Sequence, residues 1–510
     1  VSPDLTGAEP GATGCDGEVA VERATACGFG TIFAIAPSPA EEGTVWVGTT
    51  NGRVELTRDG GATWRDVTPP GLADWTKVNS IDPSWTDPGV AYVAADGHRR
   101  DDLRAYAWRT SDFGASWTEI GAGLPAGEWL GVLRHDPARA GLLYGGTQRG
   151  VRVSFDDGAS WQSLQLDLPV TGINDLLVHH GDLIAATQGR ALWVLDALAP
   201  LRDLAEAELG DGPWLAPPRK AWRVRANQNR DTPLPPEEPR GENPPVGAVL
   251  DYVLPADASG AVTIEIADAL SGAVVRSFAS DAPRPPVPPG VYFTDFWLGT
   301  PAQPGAGPGH HRFVWDLRLP PPPVLRTSFS IAAVPGRPTP TAPAGAFVLP
   351  GFYEARLSAG GRTVKRVFEV RPDPRIRATD DELEALADFQ REVGAELARA
   401  VPLARAQAEL GERAAERRRA APSRSLERFA HALAVAIGEG EGRSAELAGE
   451  LADLATDLEH ADAPPTAAQR ALLADALARL GAAEARWRDF ERRGRPALER
   501  ALAGAERVTR

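Results

Sequence analysis

Three octets decide the fold: "TRDGGATW" at 57–64, "TSDFGASW" at 110–117 and "SFDDGASW" at 154–161. Each reads Ser/Thr-x-Asp-x-Gly-x-Ser/Thr-Trp, and the copies recur roughly every 50 residues, the period of propeller blades. In each octet an Asp (Asp59, Asp112, Asp156) is placed to accept backbone N–H groups two residues on. A Gly (Gly61, Gly114, Gly158) stands where a positive φ is expected. A Trp (Trp64, Trp117, Trp161) opens the outgoing strand and wedges between sheets. The octet therefore reads as a structural turn joining the last two strands of a blade, and not as catalytic machinery.

Four blade-like units surround the octets. The first runs from "TIFAIAPSP" through "TVWVGTT" and "RVELT" to Trp64, and the second from "VNSIDP" through "VAYVAAD" and "AYAWRT" to Trp117. The third takes "GVLRHDP", "LLYGGTQ" and "VRVSF" up to Trp161; the fourth takes "INDLLVHH", "DLIAATQ" and "ALWVLD" and lacks an octet. Alternation in "TVWVGT" and "VRVSF" fits half-buried strands. Four blades are at the low end for a closed ring. After each octet Trp an aliphatic residue comes three positions on, with Leu following it: Val67/Leu72, Ile120/Leu124 and Leu164/Leu168. Val1 and Leu5 keep that phase, so the chain is expected to start inside a blade, as a partial ring completed by N-terminal blades of the same protein.

The octets are identified as Asp-boxes, or BNR repeats, as in sialidases, sortilin-type propellers and some xyloglucan-degrading hydrolases. The longer stretches "GTIFAIAPSP", "AADGHRRDD", "LQLDLPVTGIND", "HRFVWDLR" and "VLPGFYEARL" resemble one group more closely: large bacterial extracytoplasmic proteins labelled BNR-repeat glycosyl hydrolases or sortilin-like proteins. The resemblance runs along nearly the whole chain, strongest over 29–200 and 244–374. It implies a secreted or periplasmic protein, with a signal peptide upstream. Where such proteins often read "THGRGFWILDDL", this chain has "TQGRALWVLDAL" at 187–198. Gln188 replaces a His and Ala197 an acidic residue, so if that blade supplies a proton-transfer group in such proteins, this chain lacks it.

Composition narrows the partners. The net charge of −15 argues against nucleic acid and anionic membrane surfaces. No apolar run approaches the ~18 residues of a membrane span. The two cysteines, Cys15 and Cys27, lie close together in a Gly-rich loop and read as a small-loop disulfide, suited to an oxidising compartment. Two free thiols are the alternative. With no second Cys pair or nearby His, no metal site is expected, and no cofactor.

The expected class is mainly β with an α C-terminus. Residues 1–224 make the partial propeller, "PWLAPPRKAWRVR" adding a returning strand, and a Pro-rich linker covers 225–245. Six or seven short strands over 246–374, with Pro-rich insertions around 281–290 and 319–343, suggest an immunoglobulin- or fibronectin-like sandwich. The first insertion leads into an aromatic patch, "VYFTDFW". Capping boxes "TDDE" (379–382) and "TAAQ" (466–469) open helices. Leu383, Leu386, Phe389, Val393 and Leu397 draw one apolar stripe. Helices over about 425–460 and 467–508 complete an antiparallel three-helix bundle within 378–510. Pro402 is expected to kink or break the first helix.

Position selects the candidate site. The octets lie at the turn between the third and fourth strands, so the second-to-third and blade-to-blade loops share the opposite, ligand-binding face. "ADGHRRDD" at 95–102 is the longest and most charged loop there. Asp96, Asp101, Asp102 and Glu128 are the candidate carboxylates for glycoside hydrolysis, which needs two of them flanking the bond roughly 5–10 Å apart. Trp75, His98, Arg99, Arg100 and Trp129 are the candidate ligand contacts. A solvated loop, with Arg99 and Arg100 paired to Asp101 and Asp102, is the structural alternative. Sialidase chemistry would need three converging arginines and a Tyr–Glu nucleophile pair, and no Tyr stands beside a Glu in a ligand-face loop. The expected role is binding of a carbohydrate or peptide on the propeller face; glycoside hydrolysis is the second reading.

Overall fold

The computed structural model describes residues 2–12, 20–204, 206, 210–225, 243–283, 302–325, 328–329, 340–420, 422–438, 443–494 and 496. Two units result, residues 1–207 and 208–510.

The first unit is a run of antiparallel meanders. Blade 1 contains β1 (Ile32–Pro37), β2 (Val45–Thr49), β3 (Val54–Thr57) and β4 (Arg65–Asp66); blade 2 contains β5 (Lys77–Pro83), β6 (Ala91–Gly97), β7 (Asp102–Thr110) and β8 (Thr118–Glu119). Blade 3 contains β9 (Leu130–His135), β10 (Leu143–Thr147), β11 (Gly150–Ser154) and β12 (Gln162–Ser163); blade 4 contains β13 (Ile173–His179), β14 (Asp182–Thr187) and β15 (Leu192–Leu195). Within each sheet the strands pair in chain order, and the first strand of each blade packs on the first strand of the next. This is propeller-type stacking, and it places the cores between sheets. Trp46, Leu56, Val93 and Trp108 join blades 1 and 2; Tyr92, Ala94, Leu130 and Leu133 join blades 2 and 3; Tyr144, Val153, Ile173 and Leu176 join blades 3 and 4. The short helix α1 (Val21–Ala24) precedes blade 1. Cys27, just after it, is disulfide-bonded, and Cys15 lies outside the described residues.

The octets close their own turns. Asp112 accepts from Ser116 N at 2.8 Å, Ser116 Oγ at 2.6 Å and Thr110 Oγ1 at 2.9 Å. Asp59 and Asp156 repeat the arrangement with Thr63 and Ser160. The N–H received is therefore four residues on, not two: a left-handed residue (Gly60, Phe113, Asp157) widens the turn beyond an Asx loop. Gly61, Gly114 and Gly158 take φ of +94°, +74° and +90°, as expected. The same turns lock neighbouring blades. Trp117 Nε1 donates to Val67 O at 2.8 Å, and Trp161 Nε1 to Ile120 O at 2.9 Å. Arg58 lies 3.6 Å over the Phe113 ring, and Arg109 pairs with Asp157 at 2.6 Å. The sequence of blade 4 has no octet, and among the described residues it has no fourth strand. In their place helix α2 (Ala199–Leu204) follows fully buried Leu198, and Arg202 reaches the buried Asp136 of blade 3 at 3.0 Å.

In the second unit two sheets share one core. β16 (Trp214–Leu215), β18 (Ala248–Leu254) and β21 (Gly309–Trp315) form one sheet, in the order 16-18-21. β17 (Ala221–Arg223), β19 (Thr263–Asp268), β20 (Val274–Ala279), β24 (Gly351–Ala359) and β25 (Arg362–Pro372) form the other, in the order 17-25-24-19-20. β22 (Ser328–Phe329) and β23 (Pro340–Thr341) pair separately. Leu250, Tyr252 and Trp315 from the first sheet meet Ile264, Ala355 and Phe368 from the second. Among the described residues every pairing in these two sheets is antiparallel except β17 with β25. The stretch 213–225, expected to return to the propeller, joins these sheets instead, so the propeller unit ends near 207. The reason is local: Leu215 and Ala221 bury in this core, and buried Arg223 pairs with Asp462 at 2.7 Å. Most of the 225–245 linker and all of "VYFTDFW" lie outside the described residues.

The C-terminal region is helical: α3 (Asp380–Ala420), α4 (Arg424–Ile437), α5 (Ser444–Asp457) and α6 (Ala467–Arg493). Both capping boxes form: Glu382 N donates to Thr379 Oγ1 at 3.3 Å, and Gln469 N to Thr466 Oγ1 at 3.2 Å. Of the expected stripe on α3, Leu386, Phe389, Val393 and Leu397 are buried with Leu447, Leu451 and Leu480, and Leu383 is buried too. Two expectations are corrected. The helix placed over 425–460 is two helices, because Gly438 takes φ +85° and ends α4, so the described helices here are four and not three. And α3 continues through Pro402.

Candidate functional site

Three connections meet at one end of blade 2, the end away from its octet. The β6–β7 loop folds as a 3-10 turn, His98–Arg100, closed by Asp101 in the left-handed region with its N–H on His98 O. Asp96, at the end of β6, is buried and holds that turn: Oδ1 accepts His98 N at 2.7 Å and Oδ2 faces His98 Nδ1 at 2.5 Å. A carboxylate only accepts, so Nδ1 is the donor in this contact. The imidazole stacks on Trp129 of the blade 2–3 connection, centroids 4.6 Å apart and planes within 12°. Arg100 Nη1 donates to Asp74 O in the blade 1–2 connection. Trp75, next in that connection, takes φ +61° and is tied by its N–H to Asn51 O at 3.1 Å. Gln148 Nε2 fastens the blade 2–3 connection through Gly127 O at 2.6 Å.

The expected carboxylates separate into different roles. Asp102 does not pair with Arg99 or Arg100; it accepts from Arg104 Nη2 at 2.7 Å and from Tyr106 Oη at 2.6 Å. Arg104 and Tyr106 hold the Asp102 carboxyl well below the usual range, and burial with Asp102 pushes the Tyr106 phenol up to about 12. Glu128 is buried in a forked pair with Arg152, at 2.7 and 3.1 Å, with Thr147 Oγ1 at 3.3 Å. Asp101 is exposed. Asp96, Asp102 and Glu128 thus each face a partner of their own.

Lys77 is the residue sequence reasoning passed over. It opens β5 directly across from Asp96, and its ammonium lies 4.2 Å over the Phe33 ring. Burial lowers its pKa, Arg99 lowers it further, and Asp96 pulls it back. It is one of three lysines in the chain. Arg104 and Arg152 had no sequence signal, because nothing in their spacing marks them as carboxylate partners. At the fourth blade's corresponding loop, Gln188 is fixed by its N–H to Gly172 O at 2.7 Å. Among the described residues no cluster of His, Cys, Asp and Glu is arranged to hold a metal ion.

No family model matches the chain, and no curated protein does. Solved structures do. YCF48 bound to D1 peptide is 19% identical over 32% of this chain and 52% of its own, with a TM-score of 0.25. The GH74 enzyme of Niastella koreensis is 16% identical over 37% of this chain and 26% of its own, with a TM-score of 0.25. The extracellular domain of BT4673, a putative one-component system of B. thetaiotaomicron, is 11% identical over 68% of this chain and 43% of its own, also at 0.25. The chain spans about half the length of the first of these and less of the others. No helix among the described residues is long and apolar enough to cross a membrane.

Proposed function

We propose that this is an exported, BNR-repeat, sortilin-like protein whose propeller face binds a ligand, with an immunoglobulin-like sandwich and a helical bundle as accessory parts. One observation carries the reading: three connections are tied together around the Asp96–His98–Trp129 assembly, at the end of blade 2 opposite the octet. Converging polar groups and aromatic planes on a fixed frame are what ligand sites are made of. A glycan or a peptide suits such a surface. The Cys27 disulfide supports export, because such bonds persist in oxidising compartments.

Glycoside hydrolysis is the weaker alternative. It needs an acid and a nucleophile or base aimed at one bond, whereas Glu128 and Asp102 are each turned onto an arginine. The test is to run the whole chain through polysaccharide gels while assaying the same polysaccharides for released reducing ends. Retardation without release is expected. Release that disappears in Asp96→Asn or Asp101→Asn would replace binding with catalysis.

A further inference from the structure

Blade 4 ends on an open edge that the other three blades close. In blades 1 to 3 the third strand carries a short fourth strand. Leu56 and Glu55 pair with Arg65 and Asp66, Arg109 and Trp108 with Thr118 and Glu119, and Val153 and Arg152 with Gln162 and Ser163. The next residue adds one more main-chain bond: Val67 N donates to Val54 O at 2.8 Å, Ile120 N to Ala107 O at 2.9 Å and Leu164 N to Val151 O at 2.9 Å. β15 is the outermost strand of its sheet, and among the described residues no strand pairs with it on that side. Thr187 N donates to Ala191 O, as Thr49 N does to Arg53 O in blade 1. By antiparallel alternation Trp193 and Leu195 then bond to β14, while the N–H and C=O of Leu192 and Val194 point outward. Counted from the hairpin, Leu192 stands where Val54 and Val151 stand. Leu192 is 69% exposed and Val194 58%, against 0% for Val54 and 3% for Val151. Helix α2 fills the octet's place, with Leu198 and Leu201 in the blade 3–4 core, but it brings no strand.

We propose that this edge takes an extended segment of a partner polypeptide as the missing fourth strand: two polar residues followed by an aliphatic one. The three filled copies define that occupant, as Arg65-Asp66-Val67, Thr118-Glu119-Ile120 and Gln162-Ser163-Leu164. In the same register its polar residues lie opposite Val194 and Trp193, and its aliphatic residue lies opposite Leu192. The edge decides between occupants. A second sheet stacked on Leu192 and Val194 covers their side chains but leaves their outward N–H and C=O groups unpaired. An added strand pairs those groups and sets an aliphatic side chain on the same two residues, which is how open sheet edges bind peptides. This is a second site, on a different blade from the His98–Trp129 loops.

The experiment is hydrogen exchange, read by mass spectrometry on the whole chain, alone and with a synthetic peptide of residues 116–124, SWTEIGAGL. In the chain alone the Leu192 and Val194 amides are expected to exchange fast and the Trp193 and Leu195 amides slowly. The peptide is expected to slow the first two about tenfold or more. The same peptide carrying Thr118→Pro lacks a main-chain donor and is expected to protect neither. In the protein, Val194→Pro removes an outward N–H without touching the β14 ladder, so it is expected to melt with the parent and to lose the protection. Leu192→Lys, at an exposed position, repeats the test should the proline variant unfold. Slow exchange of both amides in the chain alone would show the edge already covered and overturn the proposal. Protection that grows with protein concentration would make the occupant a second copy of this chain. No protection by the parent peptide, or equal protection by the Thr118→Pro peptide, would refute strand addition.

Discussion

The indole N–H of Trp117 donates to the carbonyl of Val67, 2.8 Å away and one blade earlier. Beside it a Cβ on Gly114 would come within 2.7 Å of Val67 Cβ, and one on Gly158 within 2.6 Å of Ile120 Cβ. The residue three positions after one octet Trp is therefore the seat on which the next octet rests.

That seat separates two kinds of glycine. Gly60 takes φ +71° with nothing near its missing Cβ, so Gly60→Ala should cost only the backbone term, about 1–2 kcal/mol. Gly114→Ala adds an overpacking term of about 1–3 kcal/mol. Urea midpoints should fall further for Gly114→Ala; equal midpoints would show that blade contact is not what demands glycine there.

The octet carboxylates should make the propeller acid-sensitive. Hydrogen bonds, Thr63 Oγ1 foremost, lower Asp59 to about 2, and the Ser116 hydroxyl and N–H hold Asp112 below its ordinary value. Asp156 is lowered by Ser160 against an opposing burial effect. A folded-state pKa below the unfolded one gives stability that is complete above the ordinary carboxylate range and lost as pH falls towards 2. Asp112→Ala should melt lower than the parent at pH 7, and the gap should shrink on acidification to pH 2. A gap that does not change with pH would refute the carboxylate's role.

Asp101 and Asp102, adjacent in sequence, should behave differently. Asp101 is exposed in a left-handed conformation that Asn tolerates, so Asp101→Asn should change stability by no more than ~0.5 kcal/mol. Asp102→Asn loses the charge facing Arg104 and Tyr106 and should lower the melting temperature measurably. Differential scanning of both variants decides it, and matching melts would mean that Asp102 is as idle as its neighbour.

Glu128→Gln leaves Arg152 without its forked partner inside the protein. Breaking such a buried pair costs about 3–5 kcal/mol, less here to the extent that Arg152 reaches solvent. A chemical-denaturation curve should show the loss directly. Unchanged stability with abolished hydrolysis is the outcome that a catalytic glutamate would produce instead.

Ala191 stands at φ +61°, where a Cβ is penalised by about 1–2 kcal/mol. Ala191→Gly is expected to raise the melting temperature of the propeller unit. A decrease would mean that the entropy added to the unfolded chain outweighs the relief.

What was legible in the sequence follows the range of the interactions. The octets, the blade strands, the strands of the second unit and the capping boxes are short-range patterns of turn chemistry and alternation, and they appear where expected. The seat residues Val67 and Ile120 were visible as a phase, but not as docking points, because that role depends on a neighbouring blade. Loop position in the sequence places His98, Trp129 and Arg100 in connections at one end of blade 2, where the structure has them. It could not show that Asp102 answers to Arg104 or Glu128 to Arg152, since those choices are made by side-chain direction across strands. The destination of residues 213–225 was misread for the same reason: a two- or three-residue strand carries no mark of which sheet it will join.

The octet relay also has a direction in time. Val67 and Ile120 are synthesised before Trp117 and Trp161, so every seat exists when the indole that uses it leaves the ribosome. Trp64 in the first octet turns instead to its own Gly61 O at 3.1 Å, a contact that waits for nothing. Blades can thus be added one by one from the N-terminal side, each new indole finding a finished partner. An unused seat merely shows a carbonyl to water, whereas an indole without a seat must find an acceptor within its own turn. Removing blades from the C-terminal end should therefore be the milder truncation for those that remain.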